Sequence, residues 1–193
     1  AVALDAGDIG GPYASSFGTD DAATVDRLLA ELDRGRDDRP FFFVYMPIAG
    51  HHPYHSPGKG PRPFPEKSEQ DAYENDLFAG DFAMGRLLDG LRSRGVWDRT
   101  LVVVNGDHGQ AFHQHEGNFA HSLFVYEENL HVPLVIAAPG LLGASVRVPQ
   151  VGSLVDVAPT ILDLVGAAPP ARWQGRSFLG GSPRVARFFT DHT

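Results

Sequence analysis

The stretch Leu101-Val102-Val103-Val104-Asn105-Gly106-Asp107-His108-Gly109 carries a short apolar segment directly into an Asp-His pair. Such a run of aliphatic residues predicts a buried strand, and open α/β sheets bind ligands at the carboxyl ends of their strands. A carboxylate oxygen and an imidazole nitrogen together can hold a divalent metal ion. The pair therefore predicts a metal-dependent hydrolytic or transfer site, with Asp107 and His108 as metal ligands. The alternative is an Asx turn, in which Asp107 bonds the backbone.

Helix and strand patterns alternate on both sides of this segment. Apolar residues recur at helical spacing, Thr19 is a candidate N-cap and Gly95 a candidate C-cap. The predicted elements are a helix over residues 19–35, a strand over 41–46, a loop over 50–66, a helix over 71–94, a strand over 132–136, a helix opened by a capping box at 153–156 and ending at 166, and a strand over 185–189. This alternation predicts an α/β fold, a three-layer α/β/α sandwich with a mostly parallel sheet.

Size and composition limit the classes of function. With 193 residues, 42% of them hydrophobic, the chain fits a single domain with a core. The net charge is −8 and the basic residues are scattered, so no surface for nucleic acid is expected. No apolar run approaches the roughly 18 residues of a membrane span, so we expect no membrane contact from this segment. The absence of cysteine excludes disulfides and a cysteine nucleophile within these residues.

Histidines cluster at two places along the chain. His51 follows a predicted strand, where its imidazole can donate to an anionic oxygen or protonate a leaving group; the alternative is a polar loop. His113, His115 and His121 follow Asp107 closely, a density that suits metal ligation or anion binding. We expect one or two of these three histidines to take part, and His113 to be the solvated one.

Four motifs, in this order, resemble the sulfatase family of the alkaline phosphatase superfamily. They are an apolar strand with a His-x-Pro element over residues 40–54, the strand with Asp-His-Gly over 100–109, a Tyr-Glu segment ending in Val-Pro-Leu over 126–134, and a Val-Asp-x-x-Pro-Thr helix over 155–160. The resemblance implies an alkaline phosphatase-like fold and hydrolysis of a small-molecule or glycan sulfate ester. It also implies an extracytoplasmic location, either periplasmic or membrane-anchored with the domain outside.

The same resemblance implies roles for individual residues. His51 contacts the ester, and His115 and His121 lie around it, with His121 in the region where the family places a lysine. Asp107 and His108 are metal ligands. Calcium is the metal implied by the family, and Mn²⁺ or Zn²⁺ is the alternative because an imidazole such as that of His108 suits these ions better.

The chain also departs from the family's pattern. The acidic residues Glu127 and Glu128 are interpreted as solvated or paired for structure, and a role as ligands is the alternative. His131 replaces an arginine, which leaves an ion pair with Glu127 open. The Cys-x-Pro-x-Arg nucleophile element and the opening strand with paired aspartates are not found. We therefore interpret the chain as a single sulfatase-like domain truncated on its N-terminal and C-terminal sides, and predict negligible activity for the isolated fragment.

Two other interpretations stay open. Within the same superfamily, the parent protein is a phosphoester or phosphonate hydrolase, or a phosphoglycerol or phosphoethanolamine transferase, and the Asp-His pair suits that chemistry slightly better than Asp-Asn would. In a different class, the chain is a noncatalytic scaffold or interaction domain on a sulfatase fold, which the missing nucleophile favours. The sequence leaves the nucleophile, the organic part of the ester and the oligomeric state open.

Overall fold

The computed structural model describes residues 3–11, 13–15, 17–35, 40–54, 61–181 and 185–188. The chain divides into two compact units. Unit 1 contains residues 1–100 with 138–140, and unit 2 contains residues 101–137 with 141–193. The expectation of a single domain stays a prediction. None of the helices in the described ranges combines the length and apolar character needed to cross a bilayer.

Two helices, α2 (Asp21–Arg34) and α3 (Glu69–Ser93), form the bulk of unit 1. The prediction that Thr19 caps α2 is wrong: the Asp20 carboxylate accepts the N–H of Ala23 at 2.9 Å. Thr19 lies one residue too early for this contact, and its hydroxyl donates instead to the carbonyl of Gly10. At the other end, α2 stops at Arg34 with Gly35 as its C-cap, which agrees with the predicted end of this helix.

Helix α3 begins two residues earlier than predicted, because Ser68 and Asp71 form a capping box at its N-terminus. It ends at Ser93, and Gly95 follows with a positive φ of 67°, as expected for a residue just past a helix. The two helices contact each other through ion pairs at their surface, Arg86 with Asp26 and Arg94 with Asp33.

The remaining elements of unit 1 are small. A short helix α1 (Ala6–Ile9) is capped by Asp5, and the strands β1 (Tyr13–Ser15) and β2 (Gly18–Thr19) pair antiparallel. Residues 50–54 and 61–67 are irregular, as predicted for the loop, and residues 55–60 lie outside the described residues.

Two predicted strands are wrong over the residues that the structure describes. Residues 41–46 join no ladder, and their apolar side chains are exposed, Phe42 by 77%. A strand requires a hydrogen-bonded neighbour, which the local pattern alone does not supply. Residues 185–188 likewise form no strand, and position 189 lies outside the described residues.

Unit 2 is built on the strand that precedes the Asp-His pair. β3 (Val102–Asn105) pairs antiparallel with β6 (Leu134–Ala137), with Val102 opposite Ala137 and Asn105 opposite Leu134. A second antiparallel pair, β4 (Ala111–Phe112) with β5 (Phe119–Ala120), forms a small hairpin in the histidine-rich segment that follows Asp107. All ladders within the described residues are antiparallel, so the mostly parallel sheet is not confirmed.

The helices of unit 2 are short. α4 (Glu127–Leu130) precedes β6, and a 3-10 turn at Leu154–Asp156 leads into α5 (Val157–Leu164). The predicted capping box is present: the amide of Ser153 donates to the Asp156 carboxylate at 3.1 Å. The other oxygen of this carboxylate accepts the N–H of Arg176 at 2.7 Å, which ties the following segment to α5.

Candidate active site

Asp107 and His108 lie directly after β3, as predicted. The Asp107 side chain is exposed, and its Oδ1 accepts the backbone N–H of His108 at 3.0 Å. Its second oxygen, Oδ2, lies 3.6 Å from His108 Nε2. One carboxylate oxygen, Oδ1, therefore stabilises the turn, and the other, Oδ2, faces an imidazole nitrogen. Within the described ranges, no group of three His, Cys, Asp or Glu side chains is arranged to hold a metal ion.

The orientation of the His108 ring follows from its backbone contact. Nδ1 lies 2.8 Å from the carbonyl oxygen of Gly109, so Nδ1 carries the proton and donates it. In the neutral ring, Nε2 then keeps its lone pair. Metal-binding histidines in proteins commonly have this arrangement, with one ring nitrogen bonded to a carbonyl and the other free to ligate.

His121 is brought to the same place. Its ring stacks on that of His108, with centroids 3.7 Å apart and planes 22° from parallel. Its Nδ1 lies 3.1 Å from Oε1 of Gln110, to which it donates. The structure therefore places three predicted site residues together, and it adds Gln110, which the sequence did not single out.

His115 is held by a carboxylate. Its Nδ1 lies 2.8 Å from Oε1 of Glu128, and its ring lies parallel to that of Tyr126 at 4.0 Å. The hydrogen bond from His115 holds the pKa of the Glu128 carboxyl below its ordinary value, and a hydrogen bond from Asn118 acts in the same direction. Glu128 is therefore ionised at neutral pH, and it fixes Nδ1 of His115 as the protonated nitrogen.

A buried amide network lies behind Glu128. Asn118 is fully buried, and its Nδ2 contacts Oε1 of Glu128 at 2.7 Å and Oδ1 of Asn129 at 2.8 Å. Asn129 in turn donates to the carbonyl of Ala120 at 3.0 Å. Sequence reasoning missed both asparagines, and for Glu128 it favoured a solvated or structural role over one as a ligand. Two asparagines within a histidine-rich region were the available signal, because buried amides commonly support charged groups.

Gly109 connects the Asp-His turn to this network. Its N–H donates to the carbonyl of Asn129 at 2.8 Å. A Cβ at this position would lie 2.1 Å from the carbonyl oxygen of Glu128, so only glycine allows the two segments to approach this closely.

Two further predictions concern neighbouring histidines. His113 is exposed and stacks on Phe119 at 5.1 Å, which agrees with its interpretation as a solvated residue. His131 contacts Glu127, with Nδ1 2.9 Å from Oε1. The pairing with Glu127 that the sequence left undecided is therefore present, with a histidine in place of an arginine. Both partners of that contact are exposed to solvent, where such pairs contribute little to stability.

His51 belongs to unit 1, whereas the other four predicted site residues belong to unit 2. It ends a turn in which its N–H donates to the carbonyl of Ile48 at 3.0 Å. Its Nδ1 donates to the carbonyl of His52 at 2.8 Å, and its ring lies 3.7 Å from that of Phe17. The contact from Nδ1 leaves Nε2 as the nitrogen that can act on another group.

Several known proteins are similar to this chain in sequence or in structure. Residues 5–167 match the family model for sulfatases. Arylsulfatase K of Bos taurus is 37% identical over 105 residues, which is 54% of this chain and 19% of that protein. The ulvan-active sulfatase of Formosa agariphila is 32% identical over 106 residues, 55% of this chain and 17% of that protein. A solved structure of a protein in the alkaline phosphatase superfamily from Vibrio parahaemolyticus aligns with 93% of this chain and 41% of its own at a TM-score of 0.69 and 23% identity.

The structural likeness shows the class of the fold, an α/β fold similar to that of the Vibrio parahaemolyticus protein. The family match covers most of the chain and is more specific. The chain belongs to the sulfatase family. It spans 19% and 17% of the lengths of the two relatives named above, so it corresponds to a part of each.

Proposed function

We propose that the protein carrying this chain hydrolyses sulfate esters with the help of a divalent metal ion. The observation that supports this most directly is the Asp107-His108 pair. Its carboxylate Oδ2 and imidazole Nε2 lie 3.6 Å apart, and the hydrogen bond to Gly109 leaves Nε2 free to ligate. Hard oxygen and borderline nitrogen donors at one point suit a divalent cation.

Asp107 and His108 would hold the metal together with ligands from outside this chain. When bound, the ion would neutralise negative charge that develops on the ester oxygens. Calcium is the first candidate from the family, and Mn²⁺ or Zn²⁺ is the alternative because one ligand is an imidazole. The parallel strands of a three-layer sandwich would likewise come from the rest of the longer protein, as parts of a single domain.

The histidines of this chain would bind and protonate the ester. Hydrolysis breaks the bond between sulfur and the ester oxygen, adds water, and yields an alcohol and sulfate. In His115, Nδ1 is tied to Glu128, so the protonated ring presents Nε2–H to the leaving oxygen. His51 also bonds through Nδ1, so its ring, when protonated at both nitrogens, would donate Nε2–H to an ester oxygen, and the protonated ring of His121 would supply positive charge beside the ester. A nucleophile outside these residues would attack sulfur.

Substitution in the full-length protein tests this proposal. Asp107→Ala and His108→Ala should each lower turnover of an aryl sulfate by about 10²-fold or more, the size expected for losing a group that stabilises developing charge. Both variants should also bind less metal, measured by elemental analysis. His113→Ala is the matched control and should retain activity and metal. The isolated 193-residue chain should show negligible turnover, and robust turnover by this fragment would contradict the proposed division of the site.

The choice of metal has its own test. Chelation should abolish turnover, and addition of Ca²⁺, Mn²⁺ or Zn²⁺ one at a time should restore it to different extents. If His108 is a ligand, then His108→Asn should shift the preference toward Ca²⁺, because an amide oxygen is a harder donor than an imidazole. An unchanged order of metals would exclude His108 from the ligand set.

A phosphoryl hydrolase or transferase of the same superfamily is the second candidate, and the imidazole at position 108 is the observation that favours it. Matched aryl sulfate and aryl phosphate esters separate the two, because the sulfatase proposal requires a higher kcat/KM for sulfate. Glycan sulfates are the natural extension of the substrate panel, since a relative is named for its action on ulvan.

We also propose an extracytoplasmic location, which fractionation of cells that produce the full-length protein would test.

A further inference from the structure

Three consecutive backbone N–H groups immediately before His51 donate hydrogen bonds to buried carboxylates. The amide of Ile48 lies 3.1 Å from Oδ1 of Asp21, and that of Ala49 lies 3.0 Å from Oδ2 of the same side chain. The next amide, that of Gly50, lies 2.6 Å from Oδ2 of Asp76. All three bonds have a carboxylate acceptor, and such bonds are stronger than those between neutral groups.

Both carboxylates are fixed by helices. Asp21 is the first residue of α2 and is 8% exposed, and Asp76 lies within α3 and is 2% exposed. The hydroxyl of Tyr45 donates to Oδ1 of Asp21 at 2.7 Å. Burial raises the pKa of the Asp21 carboxyl above its ordinary value, while these hydrogen bonds oppose that rise. Burying a carboxylate costs free energy unless it is paired or hydrogen-bonded, and the donors from residues 45, 48 and 49 meet that need for Asp21.

The hydrogen-bonded amides of residues 48–50 determine the position of the His51 backbone. Gly50 has a positive φ of 90°, and a Cβ there would lie 2.9 Å from the side chain of Leu77. The turn closes when the N–H of His51 donates to the carbonyl of Ile48. Residues 48–50 are therefore held at every amide, and the Cα of His51 follows from their position.

We propose that Asp21 and Asp76 are positioning residues for His51, which clamp the backbone of residues 48–50 so that the imidazole faces the ester. This inference rests on the proposed role of His51. Neither carboxylate bonds to the imidazole ring, so both act through the backbone. A purely structural role would lower stability alone, whereas a positioning role also predicts an effect on catalysis that requires His51.

Amide exchange tests the clamp itself in the full-length protein. Asp21→Asn offers one oxygen where two amides need acceptors, so Ile48 or Ala49 should exchange about tenfold faster or more, the size expected for losing a hydrogen bond to a charged group. Asp76→Ala should accelerate Gly50 alone. Asp76→Asn keeps an oxygen acceptor and should protect the Gly50 amide better than Asp76→Ala does. Asp89→Asn, at an exposed position on α3, is the matched control and should leave all three unchanged.

Local resolution of exchange, by electron-transfer mass spectrometry, makes the outcome decisive. Acceleration confined to residues 48–50 supports the clamp. Acceleration spread over α2 and α3, or none at residues 48–50, would overturn it.

Kinetics on an aryl sulfate test the positioning role. In the presence of His51, Asp21→Asn should lower kcat/KM by about 10-fold to 10²-fold, the range that a small displacement of a catalytic group produces. In a His51→Ala background the same substitution should lower it less than about threefold, because coupled residues are not additive. Equal losses in both backgrounds would show a general structural effect and overturn the proposal.

The proposed role of His51 and the proposed role of the two carboxylates would be contradicted by different results. If His51→Ala alone leaves kcat/KM unchanged, the proposed role of His51 is wrong, and with it the positioning role. Exchange at residues 48–50 still decides whether the carboxylates clamp the turn. If His51→Ala lowers kcat/KM but the carboxylate variants do not, the role of His51 stands and the positioning role is overturned.

Discussion

Carboxylates hold two histidine-bearing turns of this chain in different ways. At His115, Glu128 contacts the imidazole ring itself. At His51, Asp21 and Asp76 bind the backbone that leads to the histidine and leave the ring to other contacts. The first arrangement determines which ring nitrogen is protonated, and the second determines where the ring is placed. A carboxylate near a proposed catalytic histidine therefore has to be judged by the atoms that it contacts.

The carboxyl pKa values in the two regions are shifted in opposite directions. The pKa of the Glu128 carboxyl is lowered, because the ring of His115 donates to it. The pKa of the Asp21 carboxyl is raised, because burial outweighs its hydrogen bonds. Ionisation of the first group is favoured by folding, and ionisation of the second is opposed by it. Only the second carboxylate costs free energy to keep charged.

The largest expected effect comes from adding a methyl group to one glycine in each region. Gly109→Ala should lower the free energy of unfolding by about 3 kcal/mol, because its Cβ would meet the backbone of Glu128, which has no rotamer to change. Gly50→Ala should cost about 1–2 kcal/mol, from a positive φ and a contact with the flexible end of Leu77. Urea denaturation measures both values.

Gly85 provides the control for this pair. It lies in α3 with nothing within 4 Å of the position that an added methyl group would take, so Gly85→Ala should stabilise the protein by about 0.5–1 kcal/mol. If Gly109→Ala proved as mild as Gly50→Ala, the close approach between the Asp-His turn and α4 would not be a rigid feature of unit 2.

The sequence predicted the parts of the fold that local pattern determines. Both long helices, the strand β3, the Asp107-His108 pair at its end and the capping box at Ser153 all follow from the residues that form them. The strand predicted for residues 41–46 was wrong, because strand pairing depends on a neighbouring strand that the local pattern does not specify. The antiparallel direction of the observed ladders was missed for the same reason.

The candidate site was predicted as a set of histidines and one aspartate, without the groups that hold them. In the sequence, Asp21 is one acidic residue near a helix N-terminus and Asp76 is one of several acidic residues along a helix, so neither stands out. Their function as buried acceptors depends on a turn more than 25 residues away in sequence. Glu128 is separated from His115 by 13 residues. Contacts across such distances leave no periodic signal in the chain.

The next effect in size is the pH dependence of stability, which should have opposite signs in the two regions. Because the pKa of Glu128 is lowered from 4.5, the unfolded chain binds more protons below that value, and this contribution to stability is lost as the pH falls. Because the pKa of Asp21 is raised from 3.8, the folded chain binds more protons above that value, and stability is lost as the pH rises.

Two variants isolate these contributions. The stability difference between wild type and Glu128→Gln should shrink as the pH drops below 4.5, and that between wild type and Asp21→Asn should shrink as the pH rises above 3.8. Denaturation at a series of pH values measures both slopes. Slopes of the same sign would mean that the two carboxylates are held by the same kind of interaction.

The smallest effect concerns the rings that the two histidines contact. Tyr126 lies parallel to His115 at 4.0 Å and is 39% exposed, while Phe17 lies 3.7 Å from His51 and is 63% exposed. Replacing either ring by leucine should cost about 0.5 kcal/mol of stability, the low end for aromatic pairs, because both are partly exposed. Their effects on kcat/KM should differ. Tyr126→Leu should change it less than about twofold, since Glu128 still holds the His115 ring, and Phe17→Leu should lower it about fivefold, since the carboxylates on that side hold only the backbone. A larger loss for Tyr126→Leu would show that stacking, and not the carboxylate, orients His115.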